Sequence, residues 1–173
     1  MRILFDVNDA AVRSAFLGQG LAEALAPLAQ DRKPQWGGFT AQQMVEHLLW
    51  AFEISTGRIT VACPMPEDWQ AKARGFLHSN RPTPQNFENP HLREGVPALR
   101  FDSIPPAVLA LQAEARRFLE LSESDPGTRY VHPVFGPATV EEWSRTQFKH
   151  CVHHFLQFDL IEVEEKVERG HNA

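Results

Sequence analysis

The sequence predicts an all-α protein: a four-helix bundle with a long proline-rich connection between its second and third helices. Three observations lead there. Four stretches of the 173 residues place apolar side chains at helical spacing behind recognisable caps. No two stretches alternate convincingly with the period of a strand pair. Residues 59–103 carry Pro64, Pro66, Pro82, Pro84, Pro90 and Pro97, which excludes continuous helix over most of that length.

The first helix is expected over 10–29, with Asn8 or Asp9 as its cap and a polar run closed by Pro34 behind it. The second runs over 40–56. Thr40 and Gln43 form a capping box after the Gly37–Gly38 turn, and Gly57 supplies the stop. Within the connection a short helix fits at 66–77, where Pro66, Glu67 and Asp68 favour a helix start. A connection this long in a compact domain commonly serves as a lid or binding loop. The third helix, 104–123, follows Ser103 with Pro105 and Pro106 in its first turn and stops at Asp125, Pro126 and Gly127. The fourth, 139–158, opens on a second capping box, Thr139 to Glu142. The charged tail IEVEEKVERGHNA is expected to fray. One domain over 1–173 accommodates all of this.

Composition narrows the partners. Apolar residues make up 43% and charged residues 23%, which is globular rather than disordered. A net charge of −5 opposes a nucleic-acid footprint and attraction to anionic lipid. Asp6, Asp9 and Arg13 interrupt the N-terminal apolar run, so no signal peptide is read there. No window approaches the roughly 18 apolar residues of a membrane span. Two cysteines, Cys63 and Cys151, suit a reducing compartment. The expectation is a cytoplasmic protein with neither nucleic acid nor membrane as partner.

Eight histidines are present, three of them in KHCVHHFLQF. At about 100° per residue, Trp143, His154, Gln157 and Ile161 all fall within about 40° of His150, forming one narrow stripe. His153 lies about 60° away on the other side, beside Glu142 and Lys149, and belongs to the rim or the solvent. On the second helix His47 centres a stripe with Met44, Ala51 and Ile54, while Gln42, Glu46 and Glu53 gather on the opposite, polar side. An i, i+4 pair sets two imidazoles about 6 Å apart on one face, close enough to converge on one ion. His150 and His154 supply the pair, and His47 a third ligand from a neighbouring helix. Three protein ligands with an open position mark a reactive divalent metal site rather than a closed structural one. Imidazole also suits nickel, iron or copper, so the residues do not choose the metal. Gln157, one turn past His154, is a candidate second-layer group, with His153 as another. Metal occupancy is expected to fall below about pH 6, where imidazoles protonate.

Two stretches carry a resemblance. RKPQWGGFTAQQMVEHLLW is similar to the tryptophan turn, cap and single-histidine helix of the DinB/YfiT-like superfamily, and HPVFGPATVEEWSRTQFKHCVHHFLQF is similar to its last helix. The resemblance implies a four-helix bundle binding a metal, commonly zinc or nickel, through three histidines. Those positions map onto His47, His150 and His154. Some members are thiol-dependent S-transferases or isomerases that use a low-molecular-weight thiol.

The leading expectation is therefore a metal-dependent enzyme, a hydrolase or thiol-dependent S-transferase acting on a small molecule. A non-catalytic metal- or ligand-binding bundle is the alternative, because Glu46 and Glu53, the candidate general bases, point away from His47. A helical interaction module is a third reading. Phe148, Cys151, Val152, Phe155 and Leu156 make the fourth helix apolar beyond one stripe, as in a deeply buried helix or a homodimer face. His78 and His91 read as solvated loop residues, His132 as a turn residue before Pro133, and His171 as tail. Cys151 reads as a small hydrophobe, and Trp50, Trp69 and Trp143 as core or loop anchors. Trp69 or Phe76 is expected to wall a pocket leading to the metal.

Overall fold

The computed structural model describes residues 1–85 and 97–164. In chain order these form β1 (Arg2–Leu4), α1 (Ala10–Ala15), a π-helical segment (Phe16–Gly20), α2 (Leu21–Leu25), α3 (Ala41–Ser55) and α4 (Glu67–His78). There follow α5 (Ile104–Ser124), β2 (Arg129–His132), β3 (Gly136–Thr139), α6 (Val140–Gln157) and β4 (Glu162–Glu164). Among the described residues the protein is mostly helical, with two small two-stranded sheets. Among the described residues no helix is long and apolar enough to cross a membrane. The expectations for His91 and His171 lie outside the described residues.

The caps act where the sequence placed them. Asp9 accepts from the backbone N–H groups of Ala11 and Val12, and both capping boxes, Thr40 with Gln43 and Thr139 with Glu142, are closed. Pro105 and Pro106 occupy the first turn of α5, where their missing N–H groups cost nothing. The first helix departs from expectation. It winds through a π segment containing Gly18 and Gly20, and α2 ends at Leu25 rather than at 29. Pro27 explains the early stop, since it has no N–H to continue the helical hydrogen bonds past Ala26.

The all-helical expectation is corrected by the sheets. β1 pairs in parallel with β4, Arg2 opposite Glu162, so the first residues of the tail are ordered in a sheet instead of frayed. Ile161 is buried beside them. β2 and β3 form an antiparallel hairpin with Arg129 opposite Thr139. These strands are three or four residues long and β3 contains Pro137, too little chain for alternation to register.

Helix α3 packs against both α5 and α6. Phe148, Cys151, Val152 and Phe155 are at most 1% exposed, with Phe16 meeting Phe148 and Phe155 edge-on. Each such buried aromatic or aliphatic side chain stabilises the fold by roughly 1.5–3 kcal/mol. The broad apolarity of α6 is thus that of a deeply buried helix. A buried amide fixes its height on α3: Gln147 Nε2 donates to the Ala51 carbonyl at 2.8 Å and to Ser55 Oγ at 3.1 Å. Ala51 is one turn past His47, and Gln147 nearly one turn before His150, so this contact sets the two histidines level.

The polar face of α3 is not solvated as the helical wheel suggested. Gln42, Glu46 and Glu53 are buried. Arg100 grips Glu53 with both terminal guanidinium nitrogens, at 2.6 and 2.9 Å, and the backbone N–H groups of Arg100 and Phe101 donate to Glu46. The chain leaving the proline-rich connection covers this face and supplies the partners that make burial tolerable. Lys149 is a second correction. Its place on the helical wheel beside His153 and Glu142 points to the rim or the solvent, but it is only 3% exposed. Its ammonium donates to the carbonyls of Phe76, Ser79 and Arg81 and sits 3.7 Å from the centre of the Phe76 ring. Burial, reinforced by neighbouring Arg145, pulls its pKa down to about 8. Lys149 thereby ties the end of α4 to α6, as Arg74 ties its middle to Glu142 and to the carbonyls of Phe135 and Pro137.

Candidate metal centre

Two helices bring three imidazoles to one point. His47 comes from α3, and His150 and His154 from successive turns of α6, with their ligand atoms all within 4.8 Å of one another. It is the Nε2 atoms that converge: His150 Nε2 lies 2.9 Å from His47 Nε2 and 3.2 Å from His154 Nε2. At zinc–nitrogen distances of about 2.0–2.1 Å, tetrahedral ligands stand about 3.3–3.4 Å apart, close to this spacing.

Donor chemistry also fits a cation. His154 Nδ1 lies 2.8 Å from Gln157 Oε1, which can only accept, so Nδ1 carries the proton and Nε2 presents its lone pair inward. A single proton on His150 Nε2 can serve one neighbour at most. A positive ion among the three nitrogens resolves the remaining repulsion between lone pairs. Burial keeps the rings in the neutral form a metal needs. Desolvation, assisted by His153, pushes His47 down to about 4. Desolvation and then the neighbouring imidazoles hold His150 and His154 well below the ordinary range.

Gln157 is itself held. Its Nε2 donates to the Trp36 carbonyl at 2.8 Å, and the Gln35 N–H donates to the Gln157 carbonyl at 2.7 Å. The turn that makes this possible has Gly37 at φ 75°, and a Cβ there would stand 2.7 Å from Gln157 Nε2. Glycine is required on both counts. Phe39, just beyond, packs on the rings of His47 and His154 at 5.3 and 5.7 Å. His153 sits half-buried at the rim, its Nδ1 3.3 Å from the Thr83 carbonyl and its ring edge-on to Trp36.

The three imidazoles face a cavity of about 640 Å³. Trp69 and Phe76 both line it, as the sequence suggested, and so do Trp50 and His132. His132 does more than make a turn. Its Nδ1 accepts from the N–H groups of Val134 and Phe135, and its ring stacks on Phe135 at 4.1 Å. Trp143 is the core anchor expected, 1% exposed with its indole N–H on the Tyr130 carbonyl. Cys151 is fully buried, its thiol pushed far up by desolvation, and packs as a hydrophobe. His78 ends α4 and does not line the cavity. Helical spacing missed Trp36, Phe39 and Thr83, which reach the site from loops. The Trp36–Gly37–Gly38 turn was the available signal.

No curated protein and no solved structure matches the chain significantly. The sequence profile of the DinB superfamily matches residues 14–158, a span that contains all three converging histidines and the Trp36 turn. The chain belongs to the DinB superfamily.

Proposed function

We propose that the protein is a metal-dependent enzyme that holds one divalent transition-metal ion, zinc or nickel, on Nε2 of His47, His150 and His154. The observation that carries this reading is the convergence of three neutral imidazole nitrogens on one point at the wall of a substrate-sized cavity. When bound, the ion supplies Lewis acidity that brings a water or a thiol to its nucleophilic form near neutral pH. The protein's own part is preparation. Gln157 fixes the tautomer and tilt of His154, Phe39 shields the ligand rings, and the cavity admits a small molecule beside them. Hydrolysis and thiol-dependent S-transfer both begin from that arrangement. The scaffold in this reading is a four-helix bundle made of the α1–α2 segment, α3, α5 and α6, working in the cytoplasm.

A second reading, a metal-binding protein without turnover, draws on one specific observation. Glu46 and Glu53 are held by the Arg100 segment, and no Asp or Glu lines the cavity among the described residues. The test is elemental analysis of protein purified without a histidine tag, followed by assays of loaded and stripped protein. About one ion per chain is expected, with turnover of activated esters, or of a thiol and an electrophile, only when loaded. Ion without turnover favours the second reading. Absence of any stoichiometric ion after reconstitution removes both.

A further inference from the structure

The cavity's lining selects among small molecules. Trp50, Trp69, Phe76, Phe135 and Trp143 give it aromatic walls, with Ile54 between them. Among the described residues that line it, the only Asp, Glu, Lys or Arg is Lys149. That ammonium is already shared among three carbonyls and the Phe76 ring, so it holds no hydrogen-bonding capacity in reserve for a ligand's anion. Against the described lining, an ammonium brought in would give up its water without gaining an opposite charge, and a carboxylate or phosphate would meet only a Lys149 ammonium whose N–H groups are already taken, so either is unfavourable in an apolar enclosure.

We propose that the cavity takes an uncharged, largely apolar molecule, aromatic or branched, with a thiol or carbonyl head at the three imidazoles. The position of the head rests on the metal reading above; the choice of an uncharged body rests on the lining alone. In thiol transfer this favours neutral thiols over those that carry carboxylates.

The test separates the two. Metal-stripped protein is titrated with N-phenyl-1-naphthylamine, a neutral fluorophore, and with 8-anilinonaphthalene-1-sulfonate, nearly the same skeleton bearing an anion. The neutral probe is expected to bind at least about tenfold more tightly. Ala73→Phe on α4, and Thr146→Met on α6 as a smaller intrusion, fill the cavity and are expected to weaken it by about fivefold or more without changing the far-ultraviolet circular dichroism. Equal or tighter binding of the sulfonate overturns the proposal. So does neutral-probe binding that neither folded variant alters, since the probe then sits elsewhere. Because no ion is present, failure of the metal reading leaves this outcome unaffected. With cobalt-loaded protein, benzyl mercaptan is expected to develop thiolate-to-cobalt absorption at lower concentration than mercaptoacetate, and the reverse order overturns the proposal.

Discussion

Gln157 Oε1 lies 2.8 Å from His154 Nδ1, and the same side chain is tethered through Nε2 to the Trp36 carbonyl. One amide thus links the loop before α3 to the last turn of α6 and decides which nitrogen of His154 faces the other two imidazoles. Replacing Gln157 by Leu removes the acceptor while keeping most of the volume. Metal affinity is expected to fall about 10- to 100-fold, the usual effect of losing a group that orients a ligand. Competitive titration against a chromophoric chelator measures it, and an unchanged affinity would show that Gln157 does not orient His154.

The same link makes a backbone prediction. Gly37→Ala puts a Cβ against Gln157 Nε2 and forces a left-handed conformation on alanine, at a cost of about 1–2 kcal/mol. Gly38→Ala, where a Cβ meets nothing within 4 Å, is the control. Gly37→Ala should lower both the unfolding midpoint and metal affinity, whereas Gly38→Ala should leave affinity as it is. Matching behaviour of the two variants would refute the role given to the turn.

Alanine at each of the three converging histidines should strip most of the ion, whereas His153→Ala should retain much of it, because His153 turns to the Thr83 carbonyl at the rim. Inductively coupled plasma spectrometry on the four variants reads this directly. Wild-type metal content in His150→Ala would end the assignment.

How this site was legible in the sequence follows from the geometry of one helix. His150, His154 and Gln157 share a stripe because 3.6 residues per turn puts them there, and the capping boxes at Thr40 and Thr139 fix where the helices begin. What the helical wheel cannot contain is a partner from a distant segment. The wheel sets Glu46, Glu53 and Lys149 on polar faces, where a charged side chain without a visible counterpart belongs in water. Arg100 and the carbonyls closing α4 are those counterparts, and they arrive from the proline-rich connection and its exit. Trp36 and Phe39 were hidden in the same way. The short strands escaped because three paired residues carry almost no periodic signal.

Arg100→Ala tests that buried polar face. Glu53 would keep its burial and lose its bidentate partner. Since Arg100 itself is about half exposed (48%), solvent moderates the loss, and a destabilisation of about 1–2 kcal/mol is expected in denaturant unfolding. Metal affinity should not change, because these carboxylates sit away from the imidazoles. A matching loss of metal would mean that the two faces of α3 are coupled.

The last prediction concerns acid. In metal-stripped protein His47 titrates at about 4 and His150 and His154 well below the ordinary 6.5, all chiefly through burial. Above 6.5 both folded and unfolded chains hold these rings neutral, so the stability they allow is fully present. Below 6.5 the unfolded chain takes up protons that the folded chain refuses, and stability declines as pH falls towards about 4, by at most about 1.4 kcal/mol per pH unit for each ring. Added zinc should raise the melting temperature at neutral pH, since it binds only the folded arrangement. That increment should shrink over the same window, because protons and the ion compete for the same Nε2 atoms. Thermal unfolding from neutral pH down to about 4, with zinc and with chelator, measures both curves. A chelator curve that stays flat between 6.5 and 4 would show that the imidazoles are not buried neutral in solution. A zinc increment independent of pH would show that the ion binds somewhere other than at these three rings.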